Sequence, residues 1–270
     1  MPIEAILFDL DNTLLLEDDA TEDALRRTSE LAARRTGGAK GSIHAAAREA
    51  AESLFAASPH FAYSEAMGIW WGEALWGDFA GDGEEIAALR AFVPGFRYAV
   101  WRRALRGVDG DALVDEVAAA FRDIRRALRP IDPEAEATLA DVGRDRRLAL
   151  VTNGAPDVQR EKLATTTLAA HFAAIVISVE LGIGKPDPRI FRAAIDAIGV
   201  GPEAAVMVGD SLERDIAGAR RAGLRGVWLD RAGDGKSDGA IVPNARIGAL
   251  GELRSTLTAL ERADPFPQPA

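Results

Sequence analysis

The stretch Ile3-Glu4-Ala5-Ile6-Leu7-Phe8-Asp9-Leu10-Asp11-Asn12-Thr13-Leu14 opens with a short apolar run and continues into two carboxylates. A short, continuous apolar run predicts a buried strand, as in parallel sheets. If the chain stays extended through Asp11, the two-residue period of a strand places Asp9 and Asp11 on one side. Paired acids in this arrangement can hold a divalent cation, or divide nucleophilic and acid–base work. A strand-end turn is the alternative interpretation, because Asp and Asn also form turns.

The rest of the chain changes its pattern near residue 131. Between residues 17 and 129, apolar residues recur at helical spacing between Gly and Pro breakers, and no convincing strand is found. After residue 131, short apolar runs alternate with amphipathic segments, which predicts parallel βαβ units with helices on both faces of a sheet. The later strands are predicted at 148–151, 174–178, 205–208 and 226–229, and helices at 157–168, 188–198 and 213–222.

These patterns predict an α/β fold: a doubly wound, mostly parallel, Rossmann-like sheet with an inserted all-helical cap domain. The predicted core is discontinuous and comprises residues 1–16 and 130–262, and the predicted cap is 17–129. A loop is predicted at 231–239. A loose C-terminal tail is predicted at 263–270, which contains three prolines.

Composition limits the classes of partner. The formal net charge of -10 argues against a nucleic-acid polymer, whose binding depends on Lys and Arg contacts to phosphate. No apolar run approaches the roughly 18 residues that a membrane span needs. The absence of Cys excludes disulfides and thiolate metal sites. With no secretory signal visible, a cytoplasmic protein without a membrane partner is expected, as a monomer or a homodimer.

Polar residues follow the predicted strands. Asp9 and Asp11 follow the first strand, Thr152-Asn153-Gly154 follows the second, and Gly209-Asp210-Ser211 follows the strand at 205–208. A lysine, Lys185, stands in a Gly- and Pro-rich loop just before a predicted helix. Ligands bind outside the carboxyl ends of the strands in open parallel sheets, so these side chains are expected to meet at one edge.

In this order, the four motifs resemble those of the haloacid dehalogenase superfamily of phosphohydrolases. The motifs are Asp9-Leu10-Asp11-Asn12-Thr13, Thr152-Asn153-Gly154, Lys185-Pro186, and Gly209-Asp210-Ser211 followed by Asp215. The helical insert after the first motif is similar to the cap of that family. The resemblance implies a Mg²⁺-dependent phosphatase that acts on a small phosphorylated metabolite through an aspartyl-phosphate.

The resemblance also implies a role for each motif residue. Mg²⁺ would be bound by the Asp9 carboxylate, the Asp11 backbone carbonyl and the Asp210 carboxylate. Asp9 would be the nucleophile, and Asp11 would exchange protons with the leaving alcohol and with water. Lys185 and Thr152 would be catalytic groups that also bind the phosphoryl group of the substrate. Asn12 and Asn153 would be substrate-binding groups. Asp215 would support Lys185 or a metal-bound water.

Two alternatives to hydrolysis stay open. A phosphomutase would share the core motifs and return the phosphoryl group to a sugar. A non-catalytic phosphoacceptor or binding module would also combine a parallel sheet with clustered Asp and a Lys, but it would not need the long helical insert. Halide displacement is disfavoured, because the name-giving dehalogenases lack an acid at the position of Asp11.

Two features of the insert are interpreted as structural rather than functional. The arginines Arg122, Arg125, Arg126 and Arg129 predict a solvated helix face, although a cap arginine reaching a substrate anion is the alternative. Four of the five tryptophans lie in the insert, and their spacing favours a core over the lining of a pocket.

Overall fold

A computed structural model describes residues 2–107, 110–233 and 241–262 of the 270-residue chain. The predicted tail at 263–270 and most of the predicted loop at 231–239 lie outside the described residues. By their internal contacts, the described residues form two compact units. The first contains the described parts of Met1–Leu16, Ile131–Asn153 and Lys162–Ala270, and the second those of Glu17–Pro130 and Gly154–Glu161.

The first unit is built on a six-stranded sheet. In chain order the strands are β1 (Ala5–Phe8), β2 (Arg147–Thr152), β3 (Ala174–Ile177), β4 (Ala205–Gly209), β5 (Arg225–Leu229) and β6 (Ala245–Ile247). The spatial order is β3-β2-β1-β4-β5-β6, and each neighbouring pair in it is parallel. The predicted α/β fold with a parallel, Rossmann-like sheet is therefore confirmed, and its first strand lies at the centre.

The described residues also form the following α-helices: α1 (Glu17–Thr36), α2 (Lys40–Ala56), α3 (Phe61–Met67), α4 (Trp71–Ala74), α5 (Glu84–Ala104), α6 (Asp111–Ala127), α7 (Ala135–Val142), α8 (Pro156–Ala164), α9 (Ser178–Leu181), α10 (Pro188–Ile198), α11 (Gly218–Ala222) and α12 (Leu253–Arg262). A π-helical segment, Leu212–Ala217, leads directly into α11. Short 3₁₀ segments lie at Leu168–His171, Pro202–Ala204 and Leu250–Glu252.

The core of the first unit lies on both faces of the sheet, because successive residues of a strand point to opposite faces. Ile6 and Phe8 of β1 pack in one buried cluster that includes Leu139 of α7 and Leu257 of α12. Ala5 and Leu7 of the same strand pack in a second cluster, which includes residues of α10 and α11. The strand is buried on both sides, which is why its sequence is continuously apolar.

Local sequence determines both ends of α10. The Asp187 side chain accepts a hydrogen bond from the Arg189 backbone N–H, so Asp187 is the N-cap, and Pro188 occupies the first turn. The helix ends at Gly199, whose φ of 65° is left-handed. These signals explain why the predicted range 188–198 coincides with the observed helix, and they fix the loop that carries Lys185.

The observed secondary structure differs from the predicted one in several places. The helix predicted at 213–222 is a π-helical segment, Leu212–Ala217, followed by α11, Gly218–Ala222. The helix predicted at 157–168 ends at Ala164, because the Thr165 and Thr166 hydroxyls each donate to the backbone carbonyl three residues earlier, over 2.9 Å. The strand β6 was not predicted, because three residues are too short to show a period. Helix α12 was also not predicted, although Leu253, Leu257 and Leu260 bury one face of it.

The second unit is helical, and its described residues contain no strand. Trp76, Trp101 and Phe121 are buried in it, in agreement with a core role for part of the tryptophan set. The prediction of a solvated arginine face is wrong for Arg125. That side chain is 4% exposed and pairs at 2.5 Å with Glu17, which is 1% exposed. A buried guanidinium needs such a partner, and periodicity alone does not reveal it.

No helix among the described residues combines the length and the apolar character that crossing a membrane requires.

Candidate functional site

The candidate site lies where the central strands of the first unit end. Asp9 directly follows β1, Thr152 is the last residue of β2, and Asp210 directly follows β4. Since β1 lies between β2 and β4 in a parallel sheet, these three residues are at the same edge. This edge is where ligands bind in open parallel sheets.

Lys185 links two of the predicted site carboxylates. Its Nζ lies 2.5 Å from Asp9 Oδ1 and 2.7 Å from Asp215 Oδ1, and its side chain is only 3% exposed. The Asn153 side chain holds the backbone of this lysine, since Oδ1 accepts from Lys185 N at 2.8 Å and Nδ2 donates to Lys185 O at 2.9 Å. The structure therefore brings the second and third motifs into direct contact.

Three carboxylates form a cluster around this lysine. Asp9, Asp210 and Asp215 each offer an oxygen, and the three atoms lie within 4.8 Å of one another. The Thr13 hydroxyl lies 3.4 Å from Asp210 Oδ1, and the indole N–H of Trp228 donates to the Asp210 carbonyl at 2.8 Å. Both the side chain and the backbone of Asp210 are therefore held in place.

The electrostatics of the cluster reflect its burial first and the crowding of negative charge second. Burial raises the pKa of Asp9 to about 7; Lys185 opposes the shift, and the Asp215 carboxylate adds to it. Burial and the nearby Asp9 and Asp215 carboxylates also raise the pKa of Asp210 well above its usual range. Burial by itself would lower the pKa of Lys185, but Asp215 and Asp9 outweigh that effect and raise it.

This donor set fits a divalent cation such as Mg²⁺. Mg²⁺ prefers oxygen ligands and is usually bound through one or two carboxylates. Lys185 supplies one positive charge beside three carboxylates, and the neighbouring carboxylates add to the effect of burial in raising the pKa values of Asp9 and Asp210. A divalent cation among these oxygens would supply the missing charge.

Asp11 is bound to a lysine that the sequence did not reveal as a site residue. Lys162 Nζ, on α8, lies 2.9 Å from Asp11 Oδ1 and 3.0 Å from Oδ2, and the lysine side chain is 3% exposed. The one available signal is composition, because this is one of four lysines among 32 Lys and Arg residues. Lys162 lies outside the four motifs, so motif reasoning missed it.

The other predicted site residues make both local and long-range contacts. Thr152 is buried, and its hydroxyl lies 3.3 Å from the Asn153 carbonyl. Asn12 has a left-handed backbone with φ of 58°, and its carbonyl accepts a hydrogen bond from Arg231. Asp215 Oδ2 accepts from the Ser211 backbone N–H at 3.0 Å, so its second oxygen is also occupied.

Comparisons with known proteins agree with this geometry. A family model of haloacid dehalogenase-like hydrolases matches residues 3–223. A phosphoserine phosphatase from Thermus thermophilus is 44% identical over 253 residues, which cover 93% of this chain and 98% of that protein. The solved structure of a 2-haloacid dehalogenase from Pseudomonas syringae is 31% identical and aligns with a TM-score of 0.57, covering 95% of this chain and 99% of that one.

A more distant solved structure shares the fold. It is a HAD-hydrolase from Bacillus subtilis, 21% identical, with a TM-score of 0.63 over 96% of this chain and all of that chain. The family match extends over most of the sequence and includes all four motifs that converge on the carboxyl edge of the sheet. The expected resemblance is thereby confirmed: this chain belongs to the haloacid dehalogenase-like hydrolase family.

Proposed function

We propose that this chain is a Mg²⁺-dependent phosphomonoester hydrolase that acts on a small phosphorylated metabolite through an aspartyl-phosphate. The observation that carries the proposal is the buried Asp9 carboxylate, which has the Lys185 ammonium 2.5 Å away and lies among two further carboxylates. The phosphoserine phosphatase that is 44% identical supports a phosphate ester as the substrate.

Charge explains why a cation belongs in this site. A phosphomonoester is a dianion, and each pair of unit charges between it and a carboxylate costs about 4 kcal/mol at ~4 Å in an effective dielectric of about 20. The Asp9 and Asp210 carboxylates and the Asp11 backbone carbonyl would hold Mg²⁺. When bound, Mg²⁺ supplies the positive charge that lets one anion approach another.

In the first step, an Asp9 oxygen bonds to phosphorus while the bond from phosphorus to the leaving oxygen breaks. Asp11 gives its proton to that oxygen, so the product leaves as an alcohol. Lys185 stabilises the charge on the phosphoryl oxygens, and Thr152 donates a hydrogen bond to them. Backbone N–H groups near Asp11 and Asn153, with Asn12 beside them, complete the cradle.

In the second step, water attacks phosphorus, Asp11 takes a proton from that water, and the bond between Asp9 and phosphorus breaks. Inorganic phosphate leaves, and both aspartates return to their starting forms. Lys162 donates to both oxygens of Asp11 and so orients the side chain that carries out the proton transfers. Asp215 acts through Lys185, because it holds the ammonium beside Asp9.

A dehalogenase function is the competing proposal, since the solved structure that is 31% identical to this chain has that name. Halide leaves as a stable anion and needs no proton, whereas an alkoxide leaving group does. This chain has the acid Asp11 at the position where dehalogenases of the family lack one. The acid supports ester hydrolysis over halide displacement.

The experiment is phosphate release from p-nitrophenyl phosphate, with Mg²⁺ and with a chelator. We expect wild type to turn over only with Mg²⁺ and Asp9→Asn to be inactive. Asp196→Asn, an exposed aspartate on α10, is the matched control and should behave as wild type. Negligible release by wild type with Mg²⁺, together with turnover of a 2-haloacid, would overturn the proposal.

Substrate and reaction class need separate measurements. A release screen should begin with phosphoserine, the substrate in the name of the 44% identical relative, and continue through sugar phosphates, nucleotides and glycolytic intermediates. Product analysis distinguishes free phosphate from a phosphoryl group returned to sugar, as a mutase would give. Repeated turnover distinguishes an enzyme from a stoichiometric phosphoacceptor.

A further inference from the structure

We propose that Arg231 is a positioning residue that, together with Asp132, fixes the backbone of Asn12 and Thr13 and thereby the cation-binding edge of the site. Neither residue lies in the four motifs. The inference rests on the proposed function, since it deepens the account of the same site.

One guanidinium group joins two separate segments. Arg231 Nη1 donates to the Asn12 carbonyl, and Nη2 donates to the Thr13 carbonyl at 2.7 Å. Nη2 and Nε also reach Asp132 Oδ2, at 2.7 and 3.2 Å. The Arg231 side chain is 28% exposed, whereas that of Asp132 is 9% exposed, so the carboxylate end of the pair is largely shielded from water.

Asp132 is a fixed anchor for this pair. Its backbone N–H donates to the Leu14 carbonyl at 3.0 Å, and its Oδ1 accepts from the Glu134 N–H at 2.8 Å. The N–H of Ala135 at the start of α7 donates to the Asp132 carbonyl, also at 3.0 Å. Both oxygens and both backbone groups of Asp132 are therefore engaged, and the position of Oδ2 is well defined.

The loop that Arg231 holds has a conformation that needs support. Asn12 adopts a left-handed φ of 58°, which residues with a Cβ rarely adopt. The loop begins with Asp11, whose carbonyl is a proposed Mg²⁺ ligand, and ends with Thr13, whose hydroxyl contacts Asp210. The planar guanidinium of Arg231 contacts two successive carbonyls and so fixes the orientation of the peptide groups between Asp11 and Thr13. A lysine ammonium has no such planar arrangement of donors.

The test compares Mg²⁺ binding by calorimetry in wild type, Arg231→Lys, Arg231→Gln and Asp132→Asn. We expect the dissociation constant to rise about tenfold or more in both Arg231 variants, as typically follows loss of residues that orient metal ligands. Arg231→Lys keeps the positive charge but lacks the planar guanidinium. If it weakens Mg²⁺ binding as much as Arg231→Gln does, the cause is the geometry of the guanidinium and not its charge. Asp132→Asn should show a smaller loss in the same direction.

Arg254→Gln is the matched control. Arg254 also donates to two carboxylates, Asp141 and Asp145, and to one backbone carbonyl, but its partners precede the amino end of β2, at the opposite edge of the sheet. The Mg²⁺ affinity of the Arg254→Gln variant should equal that of wild type. An equal weakening in this variant would mean that general loosening of the first unit, and not the loop at 11–13, is responsible.

Hydrogen exchange separates the failure of this inference from failure of the proposed function. Amides of residues 11–14 should exchange faster in Arg231→Lys than in wild type without Mg²⁺, while those of α10 keep their protection. If wild type neither binds Mg²⁺ nor releases phosphate, the proposed function fails, whatever the exchange shows. If wild type does both, and exchange and affinity in the Arg231 variants stay within about twofold of wild type, the positioning inference is overturned.

Discussion

At the scale of single residues, the site depends on the charge around Asp9. Its carboxylate is buried, touches the Lys185 ammonium, and lies in a cluster with Asp210 and Asp215. Lys185 is shared, because the same Nζ bonds Asp215 at 2.7 Å. Burial raises the pKa of Asp9 to about 7; Lys185 opposes this shift, and the Asp215 carboxylate adds to it. A proton and the proposed divalent cation would therefore compete for this carboxylate.

This competition predicts how Mg²⁺ binding depends on pH. Because the pKa of Asp9 is about 7, the carboxyl group carries a proton below that pH, and bound Mg²⁺ must displace it. We expect the apparent dissociation constant for Mg²⁺ to rise by at least about tenfold for each pH unit below 7, because the pKa of Asp210, the second proposed carboxylate ligand, is also raised. Calorimetry from about pH 5.5 to pH 8 measures this. A flat profile below pH 7 would contradict the raised pKa.

The pair of Lys162 and Asp11 makes a second prediction at this scale. Without the ammonium, the Asp11 carboxylate loses the partner that bonds both its oxygens. We expect Lys162→Met to lower kcat/KM about tenfold or more for an alkyl phosphate, whose leaving group needs a proton, and less for p-nitrophenyl phosphate.

Steady-state kinetics with both substrates measure this difference. Lys40→Met, which removes a lysine that is 69% exposed on α2, is the control and should change neither value. Equal losses with the two substrates would show that Lys162 supports only the local structure and does not orient the proton-transfer group.

At the scale of elements, the end of β4 shows how a backbone position constrains the site. A Cβ on Gly209 would clash with the Asp215 carboxylate, which holds Lys185. We expect Gly209→Ala to displace that carboxylate and to reduce kcat about tenfold or more. The overpacking should also lower the free energy of unfolding by about 1–3 kcal/mol.

Activity assays and urea unfolding measure the two effects of Gly209→Ala. Gly248→Ala is the matched control, because a Cβ there would meet only Glu252 Oε1 at an ordinary 3.4 Å. Wild-type kcat in Gly209→Ala would show that Asp215 has room to move without disturbing Lys185.

In the helical unit, α1 and α6 are joined by the buried pair of Glu17 and Arg125. Removing one partner leaves the other charge in the interior, so Arg125→Met should lower the free energy of unfolding by about 3–5 kcal/mol. The neighbouring Arg126, whose side chain is 27% exposed, pairs with the exposed side chains of Asp78 and Glu161. Arg126→Met should therefore cost about 1 kcal/mol or less. Chemical denaturation of the two variants compares them, and equal costs would contradict the buried-pair account.

At the scale of the whole molecule, the parallel sheet explains why motif residues so far apart in the chain meet. Asp9, Thr152 and Asp210 end or follow β1, β2 and β4, and the strand order makes β1 the neighbour of both others. Short apolar runs between amphipathic segments were enough to predict this fold, because period and burial are local properties of the sequence. Once the strands are predicted, the residues that follow them are known, and in open parallel sheets ligands bind at this end of the strands.

Other elements and partners could not be predicted in this way. The strand β6 has three residues, which is below the length at which alternation can be recognised. Helix α8 ends early because threonine hydroxyls bond back to the helix, an effect that apolar periodicity does not include. Arg231 bonds a carbonyl 219 positions away, and nothing near it in the chain distinguishes it from the other arginines.

The amino-acid sequence by itself determined the α/β class, the helical insert and the identity of Asp9, Lys185 and Asp210 as candidate site residues. Periodicity, turn chemistry and strand-end position are all encoded within a few neighbouring residues. Only the tertiary structure decided that Lys162 holds Asp11, that Arg231 holds the loop after Asp11, and that Arg125 is buried against Glu17. These pairs depend on which distant segments the fold brings side by side, and that is a property of the packed chain.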